Sequence, residues 1–322
     1  MPKVSIGLPV WNGEKYLPAA LDGILSQDFT DFELLISDNA STDTTAEIAT
    51  SYAARDPRIR YIRQPRNLGA AGNFNDVFHQ TTGPYFRWAA YDDVIAPGYL
   101  SACVTALDAQ PDAVLAFPQT MAIDSEGRAL GIYDAVTRTQ GQGPTGRLDD
   151  LIGPGDHSQS YLHMCFPVFG LIRRIALQDT SLIANMPRSD KLLLVELALK
   201  GAFAEVPEPL FLRREHAAGS VISAEGAANA AELERRLAHW FDPQKGNFFP
   251  ATTTRLGWGY LRAVLRTPMR AGQKWGCTKT LLGWARQHFR IIGGEIKIVL
   301  RERLSAWRYR IFGQPAGQQK QR

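Results

Sequence analysis

The sequence is poor in cysteine, has no long apolar run, and carries almost no acid over its last fifth. Cys103, Cys165 and Cys277 lie far apart without paired metal-ligand spacing, which leaves buried thiols and disfavours a disulfide framework or a zinc site. No uninterrupted apolar stretch is long enough to span a bilayer. Lys3 leads directly into the strand-like "VSIGLPV", with no basic-then-apolar signal segment, so the expected location is the cytoplasm. From Arg255 onward, Glu295 and Glu302 are the only acids against fifteen Lys and Arg. That makes this part about +13 and, with a net charge of +4, leaves about −9 on the rest. No nucleic-acid-binding module accompanies the charge, so nucleic acid is disfavoured as a partner.

What is present is a chain of 322 residues with 45% hydrophobic content, enough for one large domain or a domain with an appendage. Short apolar runs alternate with helical patterns through the first half. "VSIGLPV" precedes a helix near 14–26, "FELLIS" one near 43–54, "IRYIRQ" one near 69–81 and "YFRWAA" one near 97–109, before a strand at "AVLAF". The order predicts an open α/β sheet with crossover helices and a ligand site at the carboxyl ends of its strands. Gly- and Pro-rich connectors at "GQGPTGR" and "IGPGDHS" predict a loop-rich middle.

Polar motifs sit at those strand ends. "WAAYDDVIAPGYL" sets Asp92 beside Asp93 after an apolar run. Two like charges there call for a cation, hydrogen-bond donors or water, and an aspartate-rich turn capping the next helix is the competing reading. "LPVWNGEKYL" breaks the first strand with Pro9, Asn12 and Gly13, offers the flat ring of Trp11, and starts a helix at Glu14. In "ISDNASTD", Thr42 and Asp43 read as helix caps, whereas Asp38 can accept an imide hydrogen such as uracil or thymine presents.

"PVWN", "ISDNASTD", "RNLGAAGNFN", "GPYFRWAAYDD" and "RSDKLLLVELALKG" occur in an order similar to that of glycosyltransferase family 2, over roughly residues 3 to 220. The resemblance implies a GT-A-like (Rossmann-like) open mixed sheet flanked by helices and an inverting enzyme. It implies a nucleotide-sugar donor of pyrimidine type (UDP or dTDP) and an Mg²⁺ or Mn²⁺ cofactor held near Asp92 and Asp93. Asp38 matches the family's base-contacting acid, and Asn67, Gly69 and Asn73 match its loop and helix start beside the nucleotide. Asn73 reads equally as an exposed polar residue of a helix. Asp190, at a helix start, matches the general base, although a helix N-terminus attracts acids on its own account. "FLRREHAAGS" reads as a flexible segment that resembles the family's loop closing over the diphosphate, which implies Arg213 and Arg214 as leaving-group cations and His216 as a metal ligand, where the residue alone reads as a surface histidine. Three positions depart from the pattern: Ala90, Asn39 and Ser189 stand where the family commonly has acids. An inactive carbohydrate- or membrane-binding scaffold and a nucleotidyltransferase are the alternatives that these residues leave open.

The implied organisation is a transferase domain over residues 1–225 and a basic, aromatic-rich helical extension over 226–322, ending in a frayed "GQPAGQQKQR". The extension has two readings. Its helices pack on the main domain with a solvated basic face, or they lie on an anionic membrane surface, placing a peripheral enzyme on the cytoplasmic face beside a glycan or lipid-linked acceptor.

Overall fold

The computed structural model describes residues 1–133, 142–153, 165–216, 229–245 and 249–312. The terminal "GQPAGQQKQR", most of "IGPGDHS" and the boundary expected near residue 225 lie outside them.

Two apolar runs make the centre of the sheet. β1 (Val4–Val10) is buried at every residue and β2 (Phe32–Asp38) at all but one. Continuous burial without polar alternation is what a parallel strand covered on both faces requires. β3 (Ile59–Arg63) and β4 (Tyr85–Trp88) flank them in parallel. The remaining strands are β5 (Val94–Ile95), β6 (Ala113–Ile123), β7 (Ala129–Ile132), β8 (Leu171–Arg173) and β9 (Ala202–Arg214). The sheet runs β3-β2-β1-β4-β8-β6-β9-β5, with β7 paired to β6. β8 is antiparallel to both β4 and β6, and β5 is antiparallel to β9, so the sheet is mixed and open.

Helices α1 (Leu17–Leu25), α2 (Thr45–Ala53), α3 (Gly69–His79) and α4 (Tyr99–Ala109) fall within the segments expected from periodicity. The register places Val10, Asp38 and Arg63 level at one edge of the sheet, so the loops leaving β1, β2 and β3 emerge together.

Downstream come α5 (Pro144–Ile152), α6 (Arg174–Leu177), α7 (Ser189–Lys200), α8 (Ala230–Phe241), α9 (Thr252–Arg266) and the long α10 (Ala271–Phe312). The inner faces of the last two are packed. Leu256, Tyr260 and Val264 of α9 and Cys277, Leu281 and Trp284 of α10 form a buried cluster with Leu148 of α5 and with Leu192, Val195 and Leu199 of α7. Each large apolar side chain buried there contributes about 1.5–3 kcal/mol. The packing reading of the extension therefore holds for these inner faces. Among the described residues, no helix is long and apolar enough to cross a membrane.

Candidate functional site

Two loops at the ends of β1 and β2 are stitched to each other. Asn12, in the left-handed region at φ 51°, donates its N–H to Ser41 Oγ (2.9 Å) and accepts from Thr42 N–H (2.9 Å). Gly13 N–H donates to Thr45 Oγ1, and Glu14 Oε2 accepts from the N–H and hydroxyl of Thr44. These bonds occupy Asn12 and Glu14 and leave the exposed Trp11 ring as the open apolar surface. Pro9 is buried within β1, opposite Ser37.

Asp38 has no exposed surface. Its Oδ1 accepts from Ser41 N–H (2.8 Å), its Oδ2 accepts from the Tyr61 hydroxyl (3.0 Å), and Arg63 Nε lies 3.7 Å away. Burial, and next the bond to Asp38, push the Tyr61 hydroxyl up to about 12, so it stays a donor at neutral pH.

A second knot forms at the start of α3. Asn39 Nδ2 donates to Asn67 Oδ1 (3.0 Å), and Asn39 Oδ1 accepts from Leu68 N–H (2.7 Å). Gly69 N–H donates to Asn67 Oδ1 from a backbone at φ +76°, which an L side chain rarely adopts. A Cβ there would also clash with the Phe241 carbonyl of α8. Asn73 is buried and not an exposed helix residue. Its amide donates to Ser37 O and its carbonyl accepts from Ser37 Oγ, pinning α3 to β2.

The third group gathers residues more than a hundred positions apart. β5 pairs with β9, Val94 opposite Leu212, and this brings Asp92 and Asp93 against Arg214 and His216. Arg214 N–H donates to Asp93 Oδ1 (2.9 Å), its Nε to Asp92 O (2.9 Å), and its Nη1 to the carbonyls of Asp124 and Ser125. The segment is not loose at this point, because Arg213 and Arg214 are the last residues of β9. Arg214 is buried with its guanidinium over the Tyr16 ring, whereas Arg213, on the other side of the strand, bonds to Tyr133 and Glu215.

His216 is likewise buried and not a surface residue. Its ring lies against Tyr16 (4.6 Å between centroids), Nε2 stands 3.1 Å from Asp92 Oδ2, and Nδ1 has no partner among the described residues. Enclosure by protein, and next the charge of Asp92, push the Asp93 carboxyl well above its ordinary range.

The donor set fits a hard cation only in part. Among the described residues, no group of three or more His, Cys, Asp or Glu is arranged to hold a metal. However, two ligands each about 2.1 Å from one octahedral ion stand roughly 3 Å apart, which is the Asp92 to His216 separation. Mg²⁺ is commonly held by one or two carboxylates with substrate phosphates completing the shell. Asp92 suits that arrangement; His216 lies at hydrogen-bond distance from it and offers nitrogen, not the oxygen that Mg²⁺ prefers, and Asp93 already gives one oxygen to Arg214.

Asp190 stands apart from these bonds, in the first turn of α7. Arg188, at φ 59°, turns the chain into the helix, and Asp190 Oδ1 accepts from Lys191 N–H (2.8 Å). Its neighbours are residues the sequence did not single out as partners. Burial, and next Asp190, raise the Cys165 thiol, and Tyr260 of α9 is raised chiefly by its own burial, with Cys165 and Asp190 adding to it.

The family model described as Glycosyl transferase family 2 matches residues 5–178. An uncharacterized protein of Mycobacterium tuberculosis is 32% identical over 213 residues, covering 65% of this chain and 58% of that protein. The putative glycosyltransferase EpsE of Bacillus subtilis is 36% identical over 108 residues, 33% of this chain and 39% of its own. The chain thus spans less than two thirds of these relatives. Among solved structures, S. aureus TarS 1-349 in complex with UDP-GlcNAc superposes with a TM-score of 0.60 at 17% identity, covering 89% of this chain and 73% of that one. Uncomplexed TarS 1-349 gives the same TM-score over 94% of this chain and 77% of its own. The fold is of that GT-A kind, an open α/β sheet with helices following at the C-terminus.

Proposed function

The chain belongs to glycosyl transferase family 2, and from that membership we propose that it moves a sugar from a nucleoside-diphosphate donor to an acceptor hydroxyl, with inversion at the anomeric carbon. The observation that carries the reading is the junction of Asp92, Asp93, Arg214 and His216 at the strand ends, built by the β5–β9 pairing. A bound Mg²⁺ or Mn²⁺ would neutralise charge developing on the departing diphosphate. Asp92 would hold it, with His216 beside Asp92. Asp93 fixes Arg214 and so sets the position of both.

The nucleotide lies along the loops that follow β1 and β2. Trp11 offers its exposed ring to the base. Asp38, with both oxygens already accepting bonds, contributes mainly by bracing the loop through Ser41 and Tyr61. Asn12, Glu14 and Asn39 hold this loop set in register, with Asn67 and Gly69 shaping its far side. The TarS complex with UDP-GlcNAc supports a pyrimidine donor, UDP or dTDP. Arg213, less buried than Arg214, is the cation of the pair with room to meet the diphosphate. Asp190 is the general base: it stands in the first turn of α7, accepts from Lys191 N–H and is hydrogen-bonded by Cys165, and a carboxylate suits deprotonation of an attacking hydroxyl. The acceptor is a glycan or lipid-linked sugar of a cell-surface polymer. Residues 1–225 are the transferase unit and 226–322 the extension, whose helices α9 and α10 pack on α7.

Calorimetric titration of the full chain with UDP, dTDP and GDP, with and without Mn²⁺, tests the donor site. Metal-dependent pyrimidine binding that Asp92→Asn abolishes is expected. Unchanged binding in that variant would remove Asp92 from the site, and binding without any turnover would favour an inactive scaffold.

A further inference from the structure

α10 runs for 42 residues, about 63 Å at 1.5 Å per residue, well beyond the cluster that anchors its first half. Its inner face is accounted for by Cys277, Leu281 and Trp284, and farther along by its two acids. Glu295 accepts from the N–H groups of Thr253 and Thr254 at the start of α9, and Glu302 binds Arg235 and the N–H of Phe249. Both negative charges are thereby turned inward and satisfied.

The opposite face is uncovered. Leu282, Phe289, Ile296, Leu300, Leu304 and Trp307 are each between 46% and 62% exposed. At 3.6 residues per turn they fall within about 80° of arc, a single stripe. Arg286, Arg290, Lys297, Arg301 and Arg303 are exposed along its borders, and no acid lies among them.

We propose that this face of α10 seats the protein on an anionic lipid bilayer, with the stripe entering the acyl boundary and the flanking cations meeting the headgroups. The charge pattern selects this occupant. A second copy of the helix would bring its own cations against these, and a nucleic-acid backbone would leave the stripe in water. An acidic bilayer meets both halves of the surface. Lipid attachment is independent of sugar transfer, so its failure leaves the proposed reaction standing.

The test is flotation of the intact chain with vesicles of mixed phosphatidylglycerol and phosphatidylcholine, against vesicles of phosphatidylcholine alone, at low and high salt. Binding is expected to the acidic vesicles only, weakened by salt. It should fall about tenfold or more in Leu300→Ser/Leu304→Ser/Trp307→Ser, and likewise in Lys297→Gln/Arg301→Gln/Arg303→Gln. Thermal midpoints of both variants should match the parent, because the substituted side chains face solvent; a marked drop would make the stripe a packing face and overturn the proposal. Equal binding to neutral vesicles, no binding at low salt, or a concentration-dependent dimer abolished by the same substitutions would also overturn it.

Discussion

Asp93 lies beside Asp92 in surroundings that strip water from its carboxyl, and both conditions favour the protonated form. In the unfolded chain it titrates near its ordinary 3.8, so the folded state holds the proton to higher pH. The associated stability is present in full below about pH 4 and is lost as pH rises through the raised folded value. Asp93→Asn keeps an oxygen for Arg214 N–H and removes the charge. Its thermal midpoint should exceed the parent's at neutral pH, with a flatter decline above pH 4; an equal or lower midpoint at neutral pH contradicts the assignment. Asp190→Asn should reduce transfer about a hundredfold or more while sparing donor affinity, measured as kcat against donor Kd. A loss confined to donor binding would contradict the role of base. The acids at strand ends were legible in the sequence because an apolar run broken by aspartate is a local pattern. His216 was grouped with Asp92 only through the family resemblance; their direct contact and the burial of His216 were not legible, since they need β5 and β9, far apart in the chain, to meet. Burial of Asp38 and Asn73 was hidden for the same reason: their partners Tyr61 and Ser37 lie on neighbouring strands.

At the scale of elements, strand alternation explains why Arg213 and Arg214, adjacent and chemically alike, do different things. Successive side chains of β9 point to opposite faces, so one reaches Tyr133 and Glu215 while the other is locked under Asp92. Treating the pair as one flexible basic segment missed this because no periodic signal survives at the end of a strand. The extension shows the converse. Its charge and aromatics were plain in the composition, but which side of each helix packs depends on α5 and α7. Gly259 of α9 stands where a Cβ would come within 2.8 Å of Leu192 on α7, so the two helices approach closely just past Asp190. Leu256→Ala should therefore cost about 2–5 kcal/mol in chemical denaturation and lower transfer along with it, because α9 supports the helix that carries Asp190, the base proposed above. Full stability in that variant would mean that α9 is dispensable to the fold.

For the whole molecule, the α/β alternation was enough to reach an open sheet with crossover helices, because parallel crossovers leave regular spacing in the chain, and the resemblance of five motif segments supplied the GT-A-like form. The antiparallel insertion of β8 between β4 and β6 was not legible, since three residues after an irregular stretch carry no periodicity. That insertion joins the half of the sheet bearing the loops after β1 and β2 to the half bearing β9. The most direct test of the proposed transfer is product analysis of the intact protein supplied with UDP- and dTDP-sugars, Mn²⁺ or Mg²⁺, and lipid-linked or soluble glycan acceptors. Nucleoside diphosphate released in step with a new glycosidic bond of inverted anomeric configuration is expected, with no turnover in Asp92→Asn. Pyrophosphate release instead, or a retained configuration, would contradict it.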